Sequence, residues 1–422
     1  MNISTLRSSL SWSLVGNLYY AAAQWLMLVI IAKLGSTAMV GQFSLCLAVV
    51  TPIMTLTNLQ LRIVQATDTQ NRYSFRDMMG LRILTIIISA VMAEGAILIF
   101  GYDLQTSLVL WFILLAKAVE SASDVSQGVF QKNDNMKEVA ISKIIKGTLV
   151  IPAFVLILYL HGDLVLAVLG WMIMWIVSLF AYDLPKTRKY EPLRPRINVK
   201  ESYRLAKICL PLGIVFMLTS LNMNIPRFFI ERSAGIEQLG IFSAVTYLLV
   251  AGSTIASALG QAATNKLARH LDRLEFGTFY RLIYKLMIMG VTLGLIGIAA
   301  ASLAGSWLLS LLYTPEYAHF ADVFIIVTVA GLIDYVAVFC GYGLSATKRF
   351  GVQPYLGLTW TVSITLACAM LIPVFGAMGA AYSLVISSLV RLVVQWIALR
   401  AITGKMKENS KGELANIYEA TV

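Results

Sequence analysis

The sequence predicts an all-α polytopic membrane protein, with twelve transmembrane helices in two pseudo-symmetric six-helix lobes around a central cavity. Three observations carry this. Apolar runs of about 20 residues, the length a helix needs to cross a bilayer, recur along the whole chain. The 422 residues are 58% hydrophobic and only 13% charged, more apolar surface than a soluble domain of this size needs. Basic residues crowd alternate connections and are scarce in the others. A β-barrel would instead show short segments of alternating polarity.

The first run, residues 10–33, follows Arg7 and contains Asn17 and Gln24. It is long and is one of many such runs, so it reads as a retained span rather than a signal peptide. The next spans are 39–62, 80–101, 105–127, 142–160 and 163–182. After a connection rich in Lys, Arg and Pro come 207–230, 238–262, 282–304, 320–343, 352–374 and 377–400. The stretch "AGSWLLSLLY" after the ninth span either extends that helix or lies along the outer interface. The organisation is an N-terminal lobe (1–182), a basic linker (183–206), a C-terminal lobe (207–404) and a polar tail (405–422).

One set of connections carries Arg72, Arg76 and Arg82; Lys132, Lys137, Lys143 and Lys146; Lys266, Arg269, Arg273 and Arg281; and Lys348 with Arg349. The linker region "DLPKTRKYEPLRPRINVKESYRLAK" belongs to the same set. The alternate connections "FGYDLQ", "LHGDL", "YTPEYAHF" and "VFGAMGA" hold no Lys or Arg. This positive-inside asymmetry puts both termini in the cytoplasm and requires an even number of spans. The net charge of +11 then reports topology and anionic headgroups, with no nucleic-acid partner.

The two halves share a weak internal repeat. "IIAKLGSTAMVGQFSLCLAVV" and "FIERSAGIEQLGIFSAVTYLL" align at an offset of 199, matching Ile31 with Ile230, Lys33 with Arg232, Gly41 with Gly240, Phe43 with Phe242 and Ser44 with Ser243. Six spans per half is even, so the halves run parallel, related by an axis along the membrane normal. Two such lobes offer a midplane cavity and a rocking motion, the physical case for a transporter.

Ionisable groups inside spans are costly and usually face a cavity or a partner. Lys117, Glu120 and Asp124 fall within roughly 60° of one another on the fourth span. They read either as a cavity lining, with Lys117 attracting an anion and Glu120 or Asp124 coupling H⁺ or Na⁺, or as a structural network in which Lys117 pairs with Glu120. Arg391, Arg62 and Arg227 are candidate anion-binding cations, each with an interfacial alternative. Asn224 precedes Arg227, and Asn17 and Gln24 share one face of the first span, placed to meet sugar hydroxyls or to join helices. Glu94 and Asp334 are isolated carboxylates, read as coupling groups or as partners of an arginine from another helix. Tyr19, Trp111 and Tyr317 lie near span ends and read as an aromatic belt.

Cys46, Cys209, Cys340 and Cys368 lie in or beside apolar runs without CxxC spacing, as small packing residues. The scattered histidines make no metal site. No ATP-binding Gly-rich loop is encoded, and the outer loops are too short for a catalytic domain. The chain therefore reads as no enzyme, with no catalytic residues and no cofactor beyond a coupling ion.

Several segments resemble polysaccharide flippases of the multidrug/oligosaccharidyl-lipid/polysaccharide exporter superfamily. They are "GIEQLGIFSAVTYLL", "GVFQKNDNMKEVAISKIIKGTLVIPA", "LLYTPEYAHFADVFIIVTVAGLIDYVAVFCGYGLSATKRF" and "LIPVFGAMGAAYSLVISSLVRL". Together they cover much of the chain; each motif is loose, and their order and spacing carry the resemblance. It implies a bacterial inner-membrane flippase that moves an undecaprenyl-pyrophosphate-linked oligosaccharide to the outer leaflet for O-antigen or exopolysaccharide assembly. It also implies membrane lipids and polysaccharide polymerase machinery as partners. One departure is "NIPRFF", where Pro226 stands in place of the family's acidic residue, while Asn224 and Arg227 match. The rival readings are a cation-coupled multidrug exporter of the same superfamily and a membrane scaffold without transport.

Overall fold

The computed structural model describes the backbone of residues 3–68 and 73–421, and the side chains of those residues except 3–10, 67, 350 and 409–421. Arg72 and the side chain of Arg7, both read from the sequence as basic groups, lie outside the described residues. Every element assigned among the described residues is helical.

Helix α1 (Ile3–Leu34) and helix α2 (Thr37–Thr57) are joined through Ser36. Its hydroxyl accepts the Met39 N–H at 3.2 Å, satisfying one of the orphan donors of a first turn. α2 stops at Asn58, and Leu59 and Gln60 both hold φ 50° before α3 (Leu61–Thr67) resumes. The second span is thus broken within its length.

Helices α4 (Phe75–Phe100) and α5 (Leu104–Lys132) are joined by the same device as α6 (Met136–His161) and α7 (Leu164–Ser178). Gly101 and Gly162 take the left-handed conformation that closes a helix, at φ 68° and 62°. Asp103 and Asp163 then cap the following helices with their carboxylates. α7 runs into a π-helical turn, Leu179–Asp183, and a short α8 (Leu184–Thr187).

Asn198 caps α9 (Val199–Ala234), and α10 (Ile236–Tyr247) with α11 (Leu249–Asp272) supplies the eighth span. α12 (Phe276–Leu312) absorbs "AGSWLLSLLY" as an extension of the ninth helix. A 3-10 turn, Pro315–Phe320, leads into α13 (Ala321–Ala346), and α14 (Gln353–Thr421) follows.

Ten helical segments are long and apolar enough to cross a membrane among the described residues. α5 is a further 29-residue helix, outside those ten, and it carries Lys117, Glu120 and Asp124. The last segment holds two spans, parted at Gly376 with φ 56° and ψ −132°. With α5 and this division the count is the twelve the sequence predicts.

By packing, residues 1–244 form one unit and residues 245–422 another. In the first, α6 packs on α1 and α7, α5 on α7 and α2, and α9 along α2. A core of Leu59, Phe75, Met78, Val125, Val129 and Cys209 ties the break in the second span to α4, α5 and α9. In the second, α13 packs on α12, α14 and α11 around Phe279, Ile283, Phe339 and Leu399.

The sequence repeat is also a contact. A Cβ on Gly41 would collide with the Ile236 carbonyl, and a Cβ on Gly240 with the Thr37 carbonyl, while also falling 2.9 Å from the Gly41 nitrogen. Thr37 and Ile236 stand at the same offset of 199 as the two glycines. The start of α2 and the start of α10 therefore cross reciprocally, each glycine admitting the other copy's backbone. No residue with a Cβ fits there without moving main chain.

Four groups lie where the charge pattern and the span ends did not place them. Arg82 and Lys146, read as loop cations, are buried within α4 and α6. Asp183, read as the start of the linker, is buried in the π-helical turn. Tyr317 is fully buried and stacks on Tyr313 at 5.1 Å, rather than sitting in an interfacial belt. Loop charge reveals orientation, whereas burial depends on which helices meet, and that pairing is not written in one segment.

Candidate functional site

Helices α1, α3, α5, α6 and α7 bring a polar cluster together within the first unit. α5 supplies most of it, because positions 117, 120, 124, 127 and 131 advance by three or four residues along one face. The Lys117 ammonium donates to Glu120 Oε2 at 2.9 Å. It also lies 5.8 and 5.4 Å from the ring centres of Trp171 and Trp175, within cation–π range. Those two indoles are four residues apart on α7 and pack edge to face at 5.0 Å. Glu120 accepts a second hydrogen bond from the Tyr20 hydroxyl of α1.

One turn on, Asp124 meets Arg62 of α3 at 3.4 Å. Arg62 also donates to Gln127 Oε1 at 2.9 Å and to Gln131 Oε1 at 3.0 Å. The break before α3 sets this up, since the chain re-enters a helix with Arg62 facing α5. Gln127 passes the network on, donating to the Ser142 hydroxyl at 3.1 Å. Lys146 donates to the same hydroxyl at 3.3 Å and pairs with Asp183 at 3.0 Å, with side chains 1% and 0% exposed.

On α1, Asn17 Oδ1 accepts from the Lys143 ammonium at 2.6 Å, and Gln24 is hydrogen-bonded to Tyr20. The Lys143 ammonium also lies 5.9 Å from the Tyr20 ring centre. Among the described residues, Lys143 has no carboxylate within ion-pair distance, whereas Lys117, Arg62 and Lys146 each have one. The cluster therefore sets four cations, Arg62, Lys117, Lys143 and Lys146, against three carboxylates, Glu120, Asp124 and Asp183. Its surplus charge is positive and rests on Lys143, which is half-buried.

In the second unit, Arg391 pairs with Asp334 of α13, and its guanidinium lies 4.2 Å from the ring centre of Trp360. This is the inter-helix partnership open to Asp334 from the sequence, and it removes the need for Arg391 to snorkel to an interface. Arg227 donates to Asn224 Oδ1 at 2.9 Å, one turn back on α9, and Asn224 in turn donates to the Ser220 carbonyl.

Glu94 meets no arginine among the described residues. It accepts the Trp111 indole N–H at 3.2 Å instead. The short Gly101–Asp103 turn makes α4 and α5 antiparallel neighbours, and these two residues sit at similar distances from it. Tyr19, on the first span, shares a hydrogen bond with Thr148 at 2.8 Å.

Sequence reading missed Tyr20, Lys143, Lys146, Asp183, Trp171 and Trp175 as members of the cluster. Two local signals existed. Lys143 and Lys146 stand one turn apart in an apolar helix, and the tryptophans stand at helical spacing in "GWMIMW". For Tyr20 and Asp183 no local signal exists, because their partners lie 100 and 37 residues away.

A family model described as "Polysaccharide biosynthesis protein" matches residues 6–265. The chain is 28% identical over 389 residues to the capsular polysaccharide biosynthesis protein CapF of Staphylococcus aureus, covering 91% of this chain and 96% of that one. Among solved structures it superposes on the MATE transporter VcmN of Vibrio cholerae with a TM-score of 0.65 at 12% identity, over 94% of this chain and 96% of that one. A MOP superfamily transporter from Pyrococcus furiosus gives a TM-score of 0.65 at 13% identity, over 96% of each chain.

Proposed function

This chain belongs to the polysaccharide biosynthesis protein family, and from that membership we propose that it is a flippase for an undecaprenyl-pyrophosphate-linked oligosaccharide. It carries that lipid from the inner to the outer leaflet of a bacterial inner membrane, with both termini cytoplasmic. Its product feeds surface-polysaccharide assembly and the polymerase machinery that extends the chain. The fold is that of membrane transporters, not of an enzyme.

The observation that supports this reading best is the surplus cation of the polar cluster. A pyrophosphate is a dense anion, and an ammonium in a poorly hydrated setting without a carboxylate partner is suited to attract it. Lys143 has that character. Lys117, Arg62 and Arg391 are already paired: Arg62 and Arg391 join helices through carboxylates, while Lys117 pairs within α5 and meets α7 through its tryptophans, so they present the neighbouring polar groups. Asn17, Gln24 and Asn224 can exchange their protein partners for sugar hydroxyls. The Glu120 and Asp124 carboxylates are the places where H⁺ or Na⁺ would couple, with Asp334 and Glu94 as further carboxylates. A drug exporter for cationic compounds would favour the opposite sign of surplus charge.

The test is made on lipid extracts from a strain lacking the gene. A complete lipid-linked oligosaccharide should accumulate facing the cytoplasm, shielded from an impermeant sugar-modifying enzyme. The intact gene should clear it, and Lys143→Gln should clear it about tenfold more slowly, the loss expected for about 1.4 kcal/mol of charge-assisted binding. An unchanged lipid pool and unchanged surface polysaccharide would refute the flippase.

A further inference from the structure

Beside the break in the second span lies a buried cation that the polar cluster does not use. Arg82 is 1% exposed. Its Nη1 donates to Asn58 Oδ1 at 2.8 Å and to the Thr57 carbonyl at 3.5 Å. Its Nε and Nη2 are buried and have no hydrogen-bond partner among the described residues. The carboxylate whose charge reaches it is Asp124, already paired with Arg62.

The last carbonyls of α2 offset part of the charge, as a cation at a helix C-terminus does. They leave two donors open in a dry setting, which is costly. Those two are the nitrogens of the guanidinium's side edge, a fork that fits two oxygens of one phosphate.

The same elements enclose an apolar groove of about 350 Å³, within the range of pockets that hold small ligands. Its walls include Leu56, Leu84, Ile88, Met92, Ala206 and Leu210. Arg82 itself is not among the lining residues, but Thr57, whose carbonyl accepts from it, is, as are Leu81 and Thr85, which lie together on one side of Arg82 on α4. Ile88, Met92 and Leu210 are exposed, so in a bilayer the groove opens to hydrocarbon.

Leu59 and Gln60 hold the left-handed conformation without being glycines, a strain found where backbone must give way. Leu59 is itself a wall of the groove.

We propose that the break in the second span is a binding site for a prenyl pyrophosphate, its hydrocarbon chain in the groove and its phosphate on Nε and Nη2 of Arg82. The strained Leu59–Gln60 segment is the part that shifts to admit the phosphate. The site rests on the flippase reading and names a second position of the same substrate, its lipid end held at Arg82 after Lys143 has attracted the pyrophosphate. The charge is supplied by one arginine and the length by the groove, so both halves of the ligand are needed together.

The experiment uses the full-length chain purified in detergent, with farnesyl pyrophosphate as the probe and binding followed by titration. Farnesyl pyrophosphate should bind at least about tenfold more tightly than farnesol or inorganic pyrophosphate alone, each lacking one half of the interaction. Phosphatidylglycerol should compete weakly. Arg82→Gln should weaken binding about 30-fold, which is about 2 kcal/mol, and Arg82→Lys less, since it keeps the charge but not the fork. Ala206→Trp fills the groove without removing the guanidinium and should weaken binding about tenfold while the protein still folds.

Equal binding of inorganic pyrophosphate would make this a free-anion site, and equal competition by phosphatidylglycerol a general lipid groove; either overturns the proposal. Binding untouched by Ala206→Trp overturns it as well, even where Arg82→Gln does not fold. If the gene-deleted strain still accumulates lipid-linked oligosaccharide, such a result removes this site and leaves the flippase standing.

Discussion

Replacing Asp183 with asparagine should destabilise the protein by about 3–5 kcal/mol, the cost of stranding one buried charge. Its partner Lys146 lies at 3.0 Å, with both side chains shielded from solvent. At that separation and an effective dielectric of about 20, the Coulomb attraction is about 5–6 kcal/mol. Desolvating two ions costs several kcal/mol each, so the intact pair contributes little net stability. The asymmetry lies in the single variants. Asp183→Asn would leave the ammonium with only the Ser142 hydroxyl and a neutral amide, and Lys146→Met would leave the carboxylate bare. The double variant, Lys146→Met with Asp183→Leu, removes both charges at similar volume and should return to within about 1–2 kcal/mol of the parent. The assay is unfolding in mixed micelles by titrated denaturing detergent, run as a double-mutant cycle. If either single variant costs under about 1 kcal/mol, or the double is no better than the singles, the pair is hydrated or free to move, and the reasoning fails.

At the reciprocal glycine crossing, Gly41→Val or Gly240→Val should abolish surface-polysaccharide production, because each new Cβ meets carbonyl backbone rather than a movable side chain. Immunoblotting would separate lost transport from lost protein. Gln65 is fully buried with both amide atoms unpartnered among the described residues, so Gln65→Leu should be neutral or stabilising by about 1–3 kcal/mol in the same unfolding assay; a clear loss would mean the amide has a partner. Gly376→Ala should cost about 1–3 kcal/mol, since φ 56° with ψ −132° suits glycine alone; a neutral result would show that the two last spans can join another way.

The polar face of α5 was legible because helical spacing is a local property. Lys117, Glu120 and Asp124 had to share a face once the segment was a helix, and Lys117 had to be within reach of Glu120. Asp334 and Arg391 were legible as costly groups but not as each other's partner, being 57 residues apart on separate helices. Arg82 and Lys146 were misplaced because a basic residue near a span end looks the same whether it meets headgroups or a buried partner. The Glu94 hydrogen bond was not legible because its donor is an indole, which carries no charge to signal it.

Membrane class, the number of spans and the alternation of basic connections all follow from the order of residues. Each reflects free energies that accrue residue by residue: hydrocarbon transfer, backbone hydrogen bonding and charge near anionic headgroups. The paired glycines were marked as well, since a repeat is visible in one chain. Packing had to settle that those glycines touch, that the second span breaks at Asn58–Gln60, and that the surplus charge rests on Lys143. A contact between distant segments depends on which helices pack and at what depth. That choice is made by many small packing terms at once, so no single stretch of sequence carries it.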